Sequence, residues 1–401
     1  MGTERHIAVA VERTSEYGRR FLQGVAAFFD GSPDCRLELL DPSRVPAHAV
    51  DAYDGWISRI TDRRTLRRLH DAGRPVVDAI CLAPLDGFST IQTDAAAIGA
   101  LAAEHFLAHR FRNFAFCGYG PVAFSERRRD AFAQGLRARG FRPHVYGPPA
   151  AQAPRPFRNS QSHLTEGTVG EAWDAAALAD WIRDLPKPVA VFCCDDFRAA
   201  DLARICRRNR IAVPDDVALL GVDNDPVYCL FGSSRLSSID PDAEALGAAA
   251  AETLMDCLQA DAPQAISRIV PPRGIVVRAS TDTYPSAPAW LADALAFIAA
   301  HVGDGISASD VFVHVGYSRT LVERGFREQL GRTVQSEIAN QRVDAAKHLL
   351  TTTFLPMMEV AARTGYSSVE YFTRTFRAAT GLPPVAYRHS HAPGVRPVRA
   401  C

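Results

Sequence analysis

Val360–Arg388 reads VAARTGYSSVEYFTRTFRAATGLPPVAYR, and few folds accommodate that pattern. Apolar residues at Val360, Ala361, Val369, Phe372, Phe376 and Ala379 recur at helical spacing around a Gly365-Tyr366-Ser367 break. The spacing predicts a helix, a tight turn opened by glycine, and a second helix. Ser367 or Ser368 can accept a hydrogen bond from the free N–H groups of the second helix. Gly381 is its expected C-cap, and Pro383-Pro384 prevents continuation. Two short helices joined this way can set the second into a DNA major groove. Its outward face carries Glu370, Thr373, Arg374 and Arg377, polar and basic as a groove reader requires.

Val360-Ala361, Gly365-Tyr366, Tyr371-Phe372, Arg374, Phe376, Gly381, Pro384 and Tyr387-Arg388 resemble the second helix-turn-helix signature of AraC-type transcriptional regulators. An ordinary surface helical hairpin would not need so many of these positions at once. A similar unit lies upstream over Ser307–Leu330, with Gly316-Tyr317-Ser318 as its turn and Arg319–Leu330 as its reading helix. Trp290–His301 precedes it as a helix, and Val334–Leu350 is the expected connecting helix between the two units. Residues 290–388 thus resemble a whole AraC-type tail. One position departs: where the second unit has Ala361, the first has Phe312, whose ring must fit between helices.

The resemblance assigns base reading to Arg319, Thr320, Glu323 and Arg324 in the first unit. In the second it assigns Val369, Glu370, Thr373 and Arg374. Arginine forks pair with guanine, and glutamate can accept from cytosine. Arg327 and Arg377, one turn further on, are placed for phosphate. Charge agrees: Ser286–Cys401 has 12 Lys and Arg against 9 Asp and Glu, a net +3 that leaves −3 for the rest.

At 401 residues the chain exceeds one ordinary domain. Its 47% hydrophobic and 22% charged content suits filled globular cores. No apolar run approaches the ~20 residues of a membrane span, and MGTERHIAVAV enters a strand-like run with no signal-peptide pattern. The 9 cysteines show no CxxC pair and no zinc spacing, so free thiols in a reducing cytosol are expected, with no metal and no cofactor.

Residues 6–280 alternate strand-like and helix-like segments. HIAVAV (6–11), LELL (37–40), GWIS (55–58), PVVD (75–78), TIQTD (90–94), NFAFCG (113–118), HVYG (144–147), VAVFC (189–193) and VALLGV (217–222) read as strands. Helical patterns separate most of them, and a Pro-, Gln- and Ser-rich insertion covers 148–168. Such alternation implies parallel sheets covered by helices. The units are too many for one small sheet, so two doubly wound lobes with a cleft are expected.

VFCCDDFRAADL (191–202), PDDVALLGVDND (214–225), LSSIDPDAEALG (236–247) and VPPRGIVVRAST (270–281) resemble the sugar-binding half of LacI-type repressors, itself similar to periplasmic binding proteins. No LacI-type DNA-binding headpiece precedes Ile7. A LacI-like sensor ahead of an AraC-like tail is the layout of bacterial xylose-operon activators. The expected fold is therefore α/β, a two-lobed doubly wound sensor over 1–281. A linker at 282–289, an all-α tail over 290–390 with two helix-turn-helix units, and a terminal 391–401 complete it.

Sugars need carboxylates and planar donors that satisfy several hydroxyls inside a cleft. Strand C-termini, where open α/β sheets bind ligands, here carry Ser125–Arg129, Asp195-Asp196 and Asp223. The resemblance assigns effector contact to Arg128 and Asp223, a helix-start place to Asp196 and a ligand-facing place to Asp195. Asp196 as an N-cap competes with Asp196 as a ligand. Tyr17 and Arg19, after the first strand, could close the other side; Arg127 and Arg129 read as surface charges.

No GxGxxG, GxxxxGK[ST], HExxH or GxSxG motif occurs. An enzyme is not expected, although a sugar-processing α/β enzyme fused to a DNA-binding tail is the rival. The expected partners are operator DNA, a small aldose (xylose favoured over other aldoses), a second copy in a homodimer and, for an activator, RNA polymerase. No membrane partner is expected.

Overall fold

The computed structural model describes residues 4–32, 34–60, 62–80, 87–119, 122–146, 175–231, 235–260, 264–283 and 289–391. The 148–168 insertion lies outside them, as do most of the 282–289 linker and the tail beyond His391. The chain forms two compact units, Met1–Pro285 and Ser286–Cys401.

The first unit holds two six-stranded sheets. Strands β1 (Arg5–Ala10), β2 (Cys35–Leu40), β3 (Gly55–Ser58), β4 (Val76–Asp78), β5 (Ser89–Thr93) and β11 (Ser267–Val270) run in the order β11-β5-β4-β3-β1-β2. Strands β6 (Asn113–Cys117), β7 (His144–Val145), β8 (Val189–Cys193), β9 (Val217–Val222), β10 (Ser237–Asp240) and β12 (Gly274–Val276) run in the order β12-β10-β9-β8-β6-β7. The ladders are parallel except β10 with β12. Parallel pairing requires crossovers. The helices α1 (Glu16–Phe29), α2 (Arg63–Asp71), α3 (Ala95–Ala108), α4 (Ala123–Arg137), α5 (Ala175–Asp184), α6 (Asp196–Arg208), α7 (Pro226–Leu230) and α8 (Ala243–Gln259) lie between the strands.

Because successive strand residues face opposite ways, Ile7 and Val9 enter one core while Ala8 and Ala10 enter another. Runs such as VAVFC and VALLGV are buried at every residue, as strands covered on both faces must be. The short strands β10 and β11 were not expected: SSID is polar and SRIV brief, and neighbours on the sheet hold them.

The chain passes between the lobes three times, at 93–95, 240–243 and 270–274. The crossings are tied together, since Asp94 N donates to Val270 O and Arg273 N to Asp240 O, each at 2.9 Å. Three narrow, bonded strips between two rigid lobes form a hinge. On the first lobe, α1 and α8 meet at glycines: a Cβ on Gly247 would lie 1.9 Å from Phe21 O, and one on Gly24 1.9 Å from Glu244 O.

The second unit comprises α9 (Ala289–Ala300), α10 (Ala308–Val315), α11 (Arg319–Leu330), α12 (Val334–Thr352), α13 (Met357–Arg363), α14 (Val369–Thr380) and α15 (Pro384–His391). It has two cores, and α12 serves both. Val334 and Ile338 join Val322 and Phe326 in one, while Val343, Ala346 and Leu350 join Phe372 and Phe376 in the other. Ser318 caps α11 and Ser368 caps α14. Phe312 is accommodated half-buried at the edge of the first core. Pro384 does more than stop a helix: it opens α15, where its missing N–H costs nothing.

Gly365 has φ 74°, and a Cβ there would lie 2.4 Å from Val302 O. Gly365→Ala is therefore expected to destabilise the tail by at least ~1–2 kcal/mol, the left-handed penalty alone. Differential scanning calorimetry should show the tail transition falling while that of Met1–Pro285 stays. An unshifted tail would contradict the steric argument.

Candidate functional site

The strand C-termini of both lobes converge on a cavity of about 650 Å³. From the first lobe come Glu12 and Tyr17 after β1, Arg59 after β3, Ala79 and Ile80 after β4, and Gln92 and Thr93 on β5. From the second come Tyr119, Phe124 and Arg128 after β6, Asp195 and Phe197 after β8, and Asp223, Asp225 and Tyr228 after β9.

Arg128 is only 4% exposed. Its Nη1 donates to Cys194 O and its guanidinium lies 5.3 Å over the Phe124 ring, while Nε has no partner among the described residues. Asp195 is the N-cap of α6: Oδ1 accepts from Arg198 N at 2.7 Å and from Tyr119 Oη at 3.3 Å. Burial raises its carboxyl above the usual range.

Asp196 is therefore not the cap. It is the first helical residue, 1% exposed, and its Oδ2 accepts from Asp225 N at 2.8 Å and Cys229 Sγ at 3.3 Å. It secures the Asp225 loop and also lines the cavity, and burial raises its carboxyl to about 7. The choice between adjacent aspartates rests on the direction of the chain at the strand-to-helix turn.

Asp223 has φ 111°, a region that non-glycine residues avoid. Its backbone N–H donates to Ile239 O at 2.9 Å, and its carboxylate makes no hydrogen bond or ion pair within the described residues. Burial pushes that carboxyl well up, with Arg128 pulling the other way. A strained, unspent acceptor in a cavity is what a hydroxyl-rich ligand can use.

On the facing wall, Arg59 pairs with Glu12 at 3.1 Å, and its guanidinium lies 4.5 Å over the Tyr17 ring. Tyr17 thus belongs to the wall, its phenol raised mainly by burial. Arg19 sits only at the mouth. It is turned back on Glu16 at 2.9 Å and on the carbonyls of Arg13 and Thr14. Arg129 pairs with its neighbour Asp130 at 2.8 Å. Sequence reasoning missed Glu12, Arg59, Tyr119 and Phe124, although Arg59 immediately follows GWIS and the strand-end rule could have found it.

In the second unit, Val369, Glu370, Thr373, Arg374, Arg377, Ala378 and Gly381 line one open groove on α14. The five residues singled out there share a face. On α11, Arg319, Thr320, Arg324 and Arg327 are exposed. Glu323 is half-buried, with Oε2 shielded and unpartnered among the described residues, because it flanks buried Val322 and Phe326. Tyr371 meets the Tyr366 ring edge-on at 5.8 Å but stays at the surface. It is 43% exposed, and the Arg374 guanidinium lies 5.4 Å over its ring, while Phe372 is fully buried. Among the described residues Arg324 has no such platform, and it lies 3.8 Å from Glu328.

Among the described residues no helix is long and apolar enough to cross a membrane, and no cluster of ligating side chains could hold a metal ion. Residues 103–281 match a periplasmic binding protein-like domain family, and residues 313–390 a helix-turn-helix domain family. The chain is 27% identical over 403 residues to the xylose operon regulatory protein of Escherichia coli strain K12, covering 97% of this chain and 98% of that one. It is similar to the solved structure of a xylose-binding transcription activator, with a TM-score of 0.59 and 26% identity over 97% of this chain and 98% of that one. The sensor fold is shared with a LacI family regulator from Enterococcus faecium solved with ribose, with a TM-score of 0.54 and 19% identity over 70% of this chain and 99% of that one.

Proposed function

We propose that this chain, a transcription regulator in which a periplasmic-binding-protein-like sensor precedes an AraC-type pair of helix-turn-helix units as in the xylose operon regulatory proteins, answers to a small aldose. The supporting observation is Asp223, a strained and unpartnered carboxylate within a cavity whose walls also present Arg128 and Arg59. Carboxylates accept from sugar hydroxyls, arginines donate to them, and the rings of Tyr17, Tyr119 and Phe124 offer faces to the sugar carbons. A ligand held by groups on both lobes favours closure about the hinge.

D-Xylose is the favoured effector, since the full-length relatives are named for the xylose operon. The exposed arginines of α11 and α14 contact operator DNA. We assign the chain to the cytoplasm and to activation, with RNA polymerase as the partner at the promoter. It works as a homodimer, because most soluble assemblies have two-fold symmetry and two tails then engage two sites. The sugar is bound and released unchanged.

Calorimetric titration with pentoses and hexoses, with light scattering on the same samples, tests this reading. Heat and saturation with D-xylose at dimer mass are expected. Silence toward every aldose would remove the sugar claim, turnover of the sugar would revive an enzyme, and a monomer mass at all concentrations would remove the homodimer.

A further inference from the structure

Asp223 does not stand alone in its strained backbone: Asn224 beside it has φ 51°. Such a pair persists only where the surroundings hold it. Asn224 is held at three points. Its N–H donates to Ser238 Oγ at 2.9 Å, its Nδ2 to Asp240 Oδ2 at 3.4 Å, and its Oδ1 accepts from Arg278 Nη2 at 2.7 Å. Asp240 in turn receives Arg20 of the first lobe at 3.0 Å.

Arg278 lies 54 residues further along the chain, at the sensor's exit. Its Nη1 donates to Leu236 O and its N–H to Ser237 Oγ, each at 2.8 Å. Directly after it come the turn Ala279–Thr281 and then the segment that runs into Ser286–Cys401. One hydrogen bond therefore separates the residue next to the effector carboxylate from the Ala279–Thr281 turn that leads toward the tail.

We propose that Asn224 and Arg278 are positioning residues that couple effector occupancy at Asp223 to the exit segment of the sensor. The inference rests on the aldose reading of the cavity. A sugar bonded to Asp223 stabilises the left-handed pair, and with it the arrangement in which Asn224 holds Arg278. Without sugar the pair can relax toward extended backbone, withdrawing Asn224 and leaving the Arg278 guanidinium on Leu236 O alone, which loosens its hold beside the turn. The ligand binds one arrangement better than the other, the only way it can shift the balance.

The test uses the full chain, D-xylose and a DNA fragment selected from a random pool by the wild-type protein. Operator affinity is measured with and without saturating sugar, and sugar affinity separately. The wild-type ratio is expected within the ~5- to 150-fold range usual for coupled sites. Arg278→Ala and Asn224→Ala should each bring it to within about 3-fold of unity, on the order of the smallest coupling that matters, while D-xylose still binds. Asn224→Asp keeps an acceptor for Arg278 and tolerates left-handed backbone but gives up the donor to Asp240 and faces its carboxylate, so it should retain coupling above that of Asn224→Ala though below wild type. Full coupling in both alanine variants, or coupling in Asn224→Asp no greater than in Asn224→Ala with sugar still bound, would overturn the proposal. If Arg278→Ala does not fold, Asn224→Ala against Asn224→Asp decides. A wild-type protein indifferent to every aldose would instead overturn the reading on which this rests, before any variant is made.

Discussion

Asp223→Ala abolishes the sugar response while leaving basal operator binding measurable: that is the expected result. Sugar hydroxyls left without an acceptor in a closed cavity lose about 1–3 kcal/mol or more, on the order of 10- to 100-fold in affinity. Arg128→Ala should do the same from the donor side, since Arg128 lines the cavity and its Nε has no partner among the described residues.

The Asp223 effect should also carry a pH signature. Burial raises the folded-state pKa of this carboxyl, so the folded chain holds the proton more tightly than the unfolded one. The buried charge thus costs stability above the unfolded value, and the cost is relieved as pH falls through the raised value. Hydroxyls donating to the ionised oxygens pull the pKa back down, so binding expels a proton and tightens as pH rises through that window. Asp223→Asn should flatten the profile. Unchanged D-xylose affinity in Asp223→Ala would withdraw the residue from the site.

Arg374→Ala is expected to cost roughly 1–3 kcal/mol on the selected operator and to relax preference at one base position. Stacking on Tyr371 holds the guanidinium on the exposed face of α14. Arg324→Ala should cost less. Its guanidinium leans toward Glu328, and that contact must be given up before a base is read. Arg377→Ala, if the side chain meets phosphate, should weaken all sequences about equally and make binding less salt-sensitive. With two reading helices per tail, each tail should cover two major-groove segments about one turn, ~34 Å, apart. Titrations at two salt concentrations on cognate and scrambled DNA separate these outcomes. Loss of sequence preference in Arg324→Ala but not in Arg374→Ala would reverse the ranking of the two units.

The tail was the most legible part of the chain because its rules are local. A serine before the helix, glycine in the turn and apolar residues every third or fourth place act over one or two turns. Ser368, Gly365, Phe372 and Phe376 accordingly stand where those rules put them. The same holds for VAVFC and VALLGV, whose unbroken apolar runs suit only strands covered on both faces. Short-range chemistry sufficed there.

Tertiary structure alone decided the walls of the cavity. Glu12 and Arg59 are 47 residues apart and become a pair only because β1 and β3 are neighbours in one sheet. Asp195 and Asp196 are indistinguishable in composition, yet one caps a helix and the other, 1% exposed, holds the Asp225 loop. Tyr371, in a signature that suggests packing, is instead left at the surface beneath Arg374 because Phe372 and Phe376 fill the core. Asn224 and Arg278 meet across 54 residues through the pairing of β9 with β10 and of β10 with β12. Which strand lies beside which, and hence which side chains meet, is settled by the packing of the whole sheet, a long-range balance that no window of sequence contains.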